Sequence, residues 1–240
     1  MEQKNCEKKD PEEDVREPEG KDTFNTSRLA ARCVVLLVGL SVMALGVAFS
    51  IKSDLGTSPI SSVPYVVSLI TPFTVGNVTI AMHCVFILLQ ILILRRRYQI
   101  QQLLQLPVAI IFGYLTDGFV LLIQGLGYNA YWQQWIYCVI GILLVALGVT
   151  LEVLAGVVTL AGEGLVLAIC KVTPVKFGNM KVAFDVSLVV IACVISFIGT
   201  GGLSGVREGT IAAAVFVGIC SRQMMKPASK LLEHVITPAA

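Results

Sequence analysis

Long apolar runs separated by short polar inserts extend through most of the chain. Six of these runs approach the roughly 20 residues that a helix needs to cross a bilayer. They cover residues 33–51, 75–94, 103–123, 135–154, 178–198 and 206–224. Two shorter apolar pieces, 60–70 and 155–170, are flanked or interrupted by glycine and proline. The pattern predicts an all-α membrane protein with six transmembrane helices and two short re-entrant or broken helices.

Composition supports the membrane class. The chain is 55% hydrophobic and 14% charged, whereas a soluble domain has about 25% charged residues. Its mean hydropathy is +0.80. Most of the seven cysteines lie inside apolar runs, with neither a CxxC pair nor a Cys/His cluster at metal spacing. We therefore interpret them as small packing residues and predict no disulfide framework, metal or cofactor.

The positions of Lys and Arg favour six crossings over eight. Arg28 and Arg32 precede the first run, and three arginines at 95–97 follow the second. If both short pieces crossed the membrane, these clusters would lie on opposite sides, against the positive-inside rule. If both short pieces return to the side from which they enter, nearly all basic clusters are cytoplasmic. This arrangement predicts cytoplasmic N- and C-termini and places the aromatic residues at 128–135 at a membrane interface.

The two ends of the chain differ from its apolar middle. Residues 1–27 are rich in Glu, Lys and Asp and contain no apolar run. Such a segment cannot bury enough surface to fold alone, so we predict a disordered cytoplasmic tail. Its length and acidity are not those of a cleaved signal peptide. We predict a second cytoplasmic tail at 227–240.

The sequence repeats itself at an offset of 102 residues. Residues 71–90 (TPFTVGNVTIAMHCVFILLQ) align with 173–192 (TPVKFGNMKVAFDVSLVVIA), and His83 aligns with Asp185. We predict two membrane repeats, 28–127 and 128–226. Three crossings per repeat is an odd number, so the second repeat would be inverted relative to the first. Inverted repeats with broken helices are typical of secondary transporters, although a duplicated scaffold could serve packing alone.

Four short motifs resemble the YitT/YczE-like family of bacterial integral membrane proteins. They are DLGTSPISSVPY at 54–65, Gly-Glu-Gly at 162–164, the pair Lys181 and Asp185, and REGT at 207–210. The similarity covers about residues 32–225. It implies a location in the bacterial inner membrane and supplies no substrate. One departure is Gly162, which stands where that family often has a proline.

The sharpest candidate site precedes the first short piece. Ser58 or Thr57 suits the N-cap of a helix and Pro59 suits its first position. A helix beginning there would direct free N–H groups and a positive dipole end into the protein, which favours an anion or a carboxylate. The predicted substrate-binding residues here are Asp54, Gly56, Thr57, Ser58 and Pro59. The alternative is an ordinary loop-to-helix turn at the membrane surface.

The corresponding site in the second repeat consists of Gly162, Glu163 and Gly164. A carboxylate within the hydrocarbon costs at least about 2.5–3.5 kcal/mol, so Glu163 should be paired, protonated or in contact with water. We predict that these three residues bind substrate and that Glu163 binds a cation or carries a proton. A carboxylate that caps a helix at the interface is the alternative.

Further ionisable residues within the apolar runs are candidates for proton or ion coupling. Beside Glu163 they are Asp185, His83 and Asp117. Asp185 lies four residues after Lys181, so the two could simply pair on one helix face. His83 could be a satisfied buried histidine, and Glu152 could extend to the interface by snorkelling.

These patterns predict an inverted-repeat transporter of a small polar or anionic metabolite. The alternatives are a non-transporting membrane partner or regulatory subunit, and a channel. No enzyme motif is present in the sequence, so we predict no catalytic residues. The basic clusters should attract anionic lipid rather than nucleic acid. A stripe of small residues, with Gly205 and Gly209 four apart, favours close helix packing and could also serve a homo-oligomer.

Overall fold

The structure is a computed structural model that describes residues 26–232, all of whose regular elements are helical. The predicted tails therefore lie largely outside the described residues. Eight α-helices follow one another within this part of the chain, and two 3-10 segments, Arg95–Arg97 and Ile100–Leu104, connect the third to the fourth. The helices are α1 Thr26–Ser53, α2 Pro59–Ile70, α3 Val75–Leu94, α4 Gln105–Leu122, α5 Tyr131–Ala155, α6 Ala161–Val172, α7 Phe177–Thr200 and α8 Glu208–Leu231.

Five of these helices are long and apolar enough to cross a membrane, which confirms a helical membrane protein. They are α1, α3, α4, α5 and α7. The sixth predicted span is not among them, because the apolar stretch of α8 ends at the polar sequence Ser221-Arg222-Gln223. Crossing by α8 therefore stays a prediction.

Several predicted boundaries shift in the structure. The piece predicted at 155–170 begins only at Ala161, because Gly156 adopts a left-handed backbone (φ 59°) that ends α5. The first helix starts at Thr26, inside the predicted N-terminal tail. The predicted C-terminal tail begins as the last turns of α8, which includes Pro227. A proline removes one main-chain hydrogen bond, and the bond from Leu232 N to Ala228 O (3.0 Å) still closes the helix beyond it.

The repeat seen in the sequence extends to the helix boundaries. Helices α2 and α6 have the same 12-residue length and begin 102 residues apart. Helices α1 and α5 end at Ser53 and Ala155, which are also 102 residues apart. The residue that follows each of these ends has a positive φ, 54° at Asp54 and 59° at Gly156. Each half of the membrane region is therefore a long helix, a short helix and two more long helices.

The two halves are interleaved around α1 and α5. These helices approach closely at glycines, since a Cβ on Gly46 would lie 2.7 Å from Val145 N and one on Gly148 would lie 2.7 Å from Gly39 O. Small residues permit such close packing of helices in membranes. Each short helix packs on the third helix of the other half, α2 on α7 and α6 on α3.

One pair of helices breaks the equivalence of the halves. Helices α3 and α4 pack along each other, and a Cβ on Gly113 would lie 2.6 Å from the Ile80 side chain. Their counterparts α7 and α8 do not pack in this way. Gly178 is the counterpart of Gly76, and a Cβ placed on it would meet nothing within 4 Å. A gap therefore separates α7 from α8.

Candidate functional site

A cavity of about 530 Å³ lies between the two halves and extends into the gap between α7 and α8. Its walls include apolar side chains from α1, α4, α5 and α8. Its polar lining residues are Ser58, Ser61, Thr79, His83, Glu152, Glu163, Lys181, Asp185, Ser221 and Arg222. The structure thus brings together Ser58, Pro59, His83, Glu163 and Asp185, five of the residues that the sequence marked.

The lining residues form pairs at the 102-residue offset. The polar pairs are Ser61 with Glu163, Thr79 with Lys181, and His83 with Asp185. The apolar pairs are Met43 with Val145, Val47 with Val149, and Phe112 with Ala214. Equivalent positions of the two halves therefore face one cavity, with hydroxyl and imidazole groups from the first half and charged groups from the second.

The N-termini of both short helices border the cavity. Ser58 occupies the N-cap of α2 and Pro59 its first turn, which confirms the predicted start of this helix. The Ser58 hydroxyl donates to Ser61 Oγ (3.1 Å) rather than accepting from the main chain. Gly162 in the first turn of α6 contacts the Ile60 side chain with no room for a Cβ. The two helix N-termini therefore abut at the side of the cavity.

Glu152 closes the N-terminus of α6. Its Oε1 accepts a hydrogen bond from Leu160 N (2.6 Å). The residue is 2% exposed, so the expectation that it snorkels to the interface is wrong. A carboxylate at a helix N-terminus satisfies an otherwise unbonded N–H and interacts favourably with the helix dipole. The sequence alone gave no sign of this role, because the turn between α5 and α6 decides which N–H group Glu152 reaches.

The buried side-chain amides of Gln90 and Gln105 form an amide pair that contacts α6 near its N-terminus. Gln90 Nε2 donates to Ala161 O and to Gln105 Oε1, both at 3.0 Å. A Cβ on Gly164 would lie 2.6 Å from Gln105 Nε2. The structure thus gives Gly164 a packing contact, while its predicted contact with substrate stays a prediction. Sequence reasoning missed the amide pair, although Gln90 inside an apolar run was a visible signal.

The charged groups of the cavity are unequally paired. Lys181 Nζ lies 2.9 Å from Asp185 Oδ1, the pairing that their spacing predicted. Glu163, by contrast, forms no hydrogen bond or ion pair with any residue in the described part of the chain. Arg222, on α8, is exposed. Glu163 is therefore the cavity carboxylate left available to a ligand.

His83 is buried but incompletely bonded. It is 1% exposed and has the rings of Phe86 and Phe112 edge-on at centroid distances of 6.0 and 6.4 Å. Its Nδ1 has no hydrogen-bond partner within residues 26–232. The interpretation of a satisfied core histidine therefore fails for one of its two nitrogens, on a residue that lines the cavity.

Asp117 does not line the cavity. Its Oδ1 accepts from Gly76 N (2.7 Å) and its Oδ2 accepts from the Thr74 hydroxyl (2.6 Å). Thr74 is also the N-cap of α3 and accepts from Asn77 N (3.1 Å). Asp117 therefore joins α4 to the N-terminus of α3, and its predicted role in ion coupling gains no support from its position.

The remaining residues of the first predicted site contact α8 instead of the cavity. Asp54 O accepts from Arg207 Nη1 (2.9 Å), and Leu55 O accepts from Gly209 N (2.8 Å). Gly56 has a φ of 98° and contacts the Thr210 side chain with no room for a Cβ. We call this contact between residues 54–56 and 207–210 the α8 latch. The close backbone approach that we predicted for a ligand at Gly56 is made here by the protein itself.

The equivalent contact in the other half is apolar, because Val158 and Val108, the counterparts of Gly56 and Thr210, belong to one hydrophobic cluster. Gly156 is the counterpart of Asp54, and a Cβ on it would meet only the carbonyls of Val153 and Leu154, at 3.9 Å or more. Gly156 is exposed. Thr57, fully buried behind the latch, has an Oγ1 without a hydrogen-bond partner among the described residues. The latch is therefore a hydrogen-bonded contact, whereas its counterpart among the described residues is an apolar one.

Comparison with known proteins yields one match. The sequence model of a family described as a family of unknown function (DUF6198) matches residues 30–226, most of the chain. No curated protein matches, and no solved structure matches. Nothing in this match links the chain to the YitT/YczE-like family, so that resemblance stays a prediction.

Proposed function

We propose that this chain, which belongs to the DUF6198 family of unknown function, is a secondary transporter of a small polar metabolite. The substrate would bind in the cavity between the two halves. Transport would proceed by alternating access, in which one half rocks against the other. No catalytic step is part of this proposal.

The observation that carries the proposal is the cavity between the two halves, together with the unequal packing of their equivalent helices. Equivalent residues of the two halves line it, and its lining includes residues of both α7 and α8, which lack the extensive packing that joins α3 to α4. The equivalent interface, between α3 and α4, is closed by the Gly113 contact and by Asp117. In an inverted repeat these two interfaces face opposite sides of the membrane. A central site open to one side is what one state of alternating access requires.

Two basic residues indicate which side of the membrane this gap faces. The gap between α7 and α8 lies beside Lys176, near the start of α7, and Arg222, near the end of α8. The positive-inside rule favours the cytoplasm for both. We therefore propose six crossings in the bacterial inner membrane, including α8, with the cavity open to the cytoplasm and the α8 latch closed on the outer side.

In the proposed mechanism each half adopts the conformation that the other half has in this structure. In the outward-open state α7 and α8 would pack together, while α3 would separate from α4 and the latch would break. The bonds from Asp117 to Gly76 and Thr74 would be lost in that step. Since the substrate must stabilise the closing interface to drive the exchange, its binding residues should lie on both halves, as the lining of the cavity does.

Reciprocal accessibility of two equivalent positions tests the proposal. Val182 lines the cavity and is 63% exposed, and its counterpart Ile80 lies against Gly113 at the closed interface. We would place single cysteines at these positions in a cysteine-free background and label them with a membrane-impermeant maleimide in oriented vesicles. Val182→Cys should react from the cytoplasmic side and Ile80→Cys should be protected.

The Asp117→Asn substitution should shift both signals, since it weakens the closed interface. Labelling of Ile80→Cys from the outside should rise while labelling of Val182→Cys falls. Labelling of both positions from one side, or a change in one without the other, would contradict alternating access and favour a membrane partner that moves nothing.

A further inference from the structure

The abutting N-termini of α2 and α6 are equivalent in position but opposite in charge. Helix N-termini carry a partial positive charge and unbonded N–H groups. Ser61 of α2 and Glu163 of α6 occupy equivalent positions and both line the cavity. The site therefore presents two different ends to any ligand that lies between them.

The α2 end is positive through its helix dipole, although Pro59 has no N–H and the N–H groups of Ser61 and Ser62 donate to Ser58 O. Its first turn contains no acidic residue, and no side chain caps its main chain. The Ser58 hydroxyl donates to Ser61 Oγ, which leaves the Ser61 hydroxyl proton able to donate into the cavity. A ligand carboxylate placed here would meet the Ser61 hydroxyl donor and the positive end of the helix dipole.

The α6 end is negative. Glu152 accepts the Leu160 N–H group, so one carboxylate already compensates this N-terminus. Glu163 in the same first turn adds a second carboxylate, which has no hydrogen-bonding partner in the described chain. An unpaired carboxylate in a membrane cavity is costly. A ligand ammonium group would lower that cost by pairing with it.

His83 provides an independent sign of a polar ligand. It is 1% exposed, it lines the cavity, and its Nδ1 lacks a hydrogen-bond partner among residues 26–232. A buried polar nitrogen without a partner costs about 1–3 kcal/mol. A polar group of a bound solute is well placed to supply the missing bond.

The other charges disfavour a simple anion. Three carboxylates, those of Glu152, Glu163 and Asp185, face two cations, Lys181 and Arg222. Lys181 is paired with Asp185 and also attracts Glu163 electrostatically without bonding to it. The exposed Arg222 is screened by water. The remaining charge at the centre of the site is negative, while the α2 end still attracts a negative group.

We infer that the substrate is a small zwitterion of the amino-acid class, with its ammonium group on Glu163 and its carboxylate at Ser61 and the N-terminus of α2. This inference rests on the proposed function and specifies its substrate. The apolar side chains of Met43, Val47 and Phe112 would enclose the rest of the solute.

Binding to the purified full-length protein tests the inference. The probes are the twenty standard amino acids, each compared with the amine that lacks its carboxylate and the acid that lacks its amino group. We expect at least one amino acid to raise the melting temperature, since a ligand of the folded state stabilises it by mass action. Neither of its single-charge analogues should do so at the same concentration.

Substitutions test which residues bind the ammonium group and the carboxylate of the amino acid. Glu163→Gln and Ser61→Ala should each raise the Kd of that amino acid by about 10- to 100-fold, the range expected for losing a hydrogen bond to a charged group. Arg222→Gln should change the Kd less than threefold, about the change given by a screened charge. Ser187→Ala on the exposed face of α7 is the matched control and should leave the Kd unchanged.

The outcomes separate this inference from the proposed function. Binding of an amine as tight as that of its amino acid, or binding that survives Glu163→Gln, would overturn the zwitterion assignment. The absence of binding by every amino acid would overturn it as well. Neither result alters the accessibility test at Val182 and Ile80, which tests alternating access independently of the substrate.

Discussion

At the residue scale, the sequence predicted contacts that are local and missed those that depend on packing. Lys181 and Asp185 pair because four residues span one helical turn, and Pro59 begins α2 because its ring suits a first turn. The bond from Leu160 N to Glu152 could not be predicted, since it depends on the path of the turn at Gly156. Gly56 was predicted to let the backbone approach a ligand closely, whereas the residue that approaches it here, Thr210, comes from the other half.

Gly164 offers a test of packing at this scale. A Cβ on Gly164 would lie 2.6 Å from Gln105 Nε2 and 2.9 Å from Gln90 Oε1. Gly164→Ala should therefore displace the buried amide pair and destabilise the protein by about 1–3 kcal/mol, as overpacking does. The melting temperature of the purified protein in detergent measures this loss.

Gly178→Ala is the matched control for that measurement. Gly178 also lies near the start of a helix, but a Cβ on it would meet nothing within 4 Å. Alanine should leave the stability equal or slightly higher, because it favours the helix more than glycine does. Equal melting temperatures for both variants would show that the amide pair does not restrict Gly164.

At the element scale, the hydrophobic pattern predicted most helices well. The bounds of α3 agree with the predicted span, and α2 was recognised from its short length and its Pro59 start. The pattern could not show which helices pack together. The α8 latch joins two motifs that are about 150 residues apart in the chain, and the charges of Arg207 and Glu208 gave no indication of a partner at Asp54.

The latch can be tested through a native cysteine behind it. Cys138 is 1% exposed and packs with Leu55, and a Cβ on Gly209 would lie 3.1 Å from its Sγ. Arg207→Ala removes the bond to Asp54 O and should open the latch more often. With Cys138 as the sole cysteine, its rate of reaction with a maleimide should increase about threefold to tenfold, the range for a typical hydrogen bond, since this bond is exposed to solvent.

Lys230→Ala provides the comparison for that rate. Lys230 lies in the last turn of the same helix, far along the chain from the latch. Its removal changes the charge equally and should leave the rate at Cys138 unaltered. Equal rates in the wild type and Arg207→Ala would mean that the arginine does not hold the latch closed.

At the scale of the whole molecule, the repeat was visible in the sequence, but its departure from symmetry was not. An offset of 102 residues predicts equivalent helices, and the boundaries of α2 and α6 agree with it. The contact of α3 with α4 and the gap between α7 and α8 depend on which residues fill the interfaces. At the position of Gly113 the second half has Val215, which is 52% exposed. A duplicated sequence therefore indicates equivalent folds without indicating which interface is closed.

The path of the chain through the membrane is the last property to test at this scale. Six crossings place Arg96 and Lys230 inside the cell, and Gly127 and Gly202 outside. Arg96, Gly127 and Lys230 are exposed and Gly202 is partly exposed. Neither glycine has an atom within 4 Å of a Cβ placed on it, so cysteine should be tolerated at each position. In intact cells an impermeant maleimide should label Gly127→Cys and Gly202→Cys only, and in inverted vesicles it should label the other two only.

The pair at 202 and 230 decides whether α8 crosses, because its apolar stretch is interrupted by Arg222 and it is the least apolar of the six proposed spans. Opposite sides for these two positions would place Arg222 near the cytoplasmic surface, where its charge costs little. The same side for both would leave five crossings, an odd number that puts the chain's two ends on opposite sides. In that case the two halves could not be inverted copies. The closed interface between α3 and α4 and the gap between α7 and α8 would then not face opposite sides of the membrane.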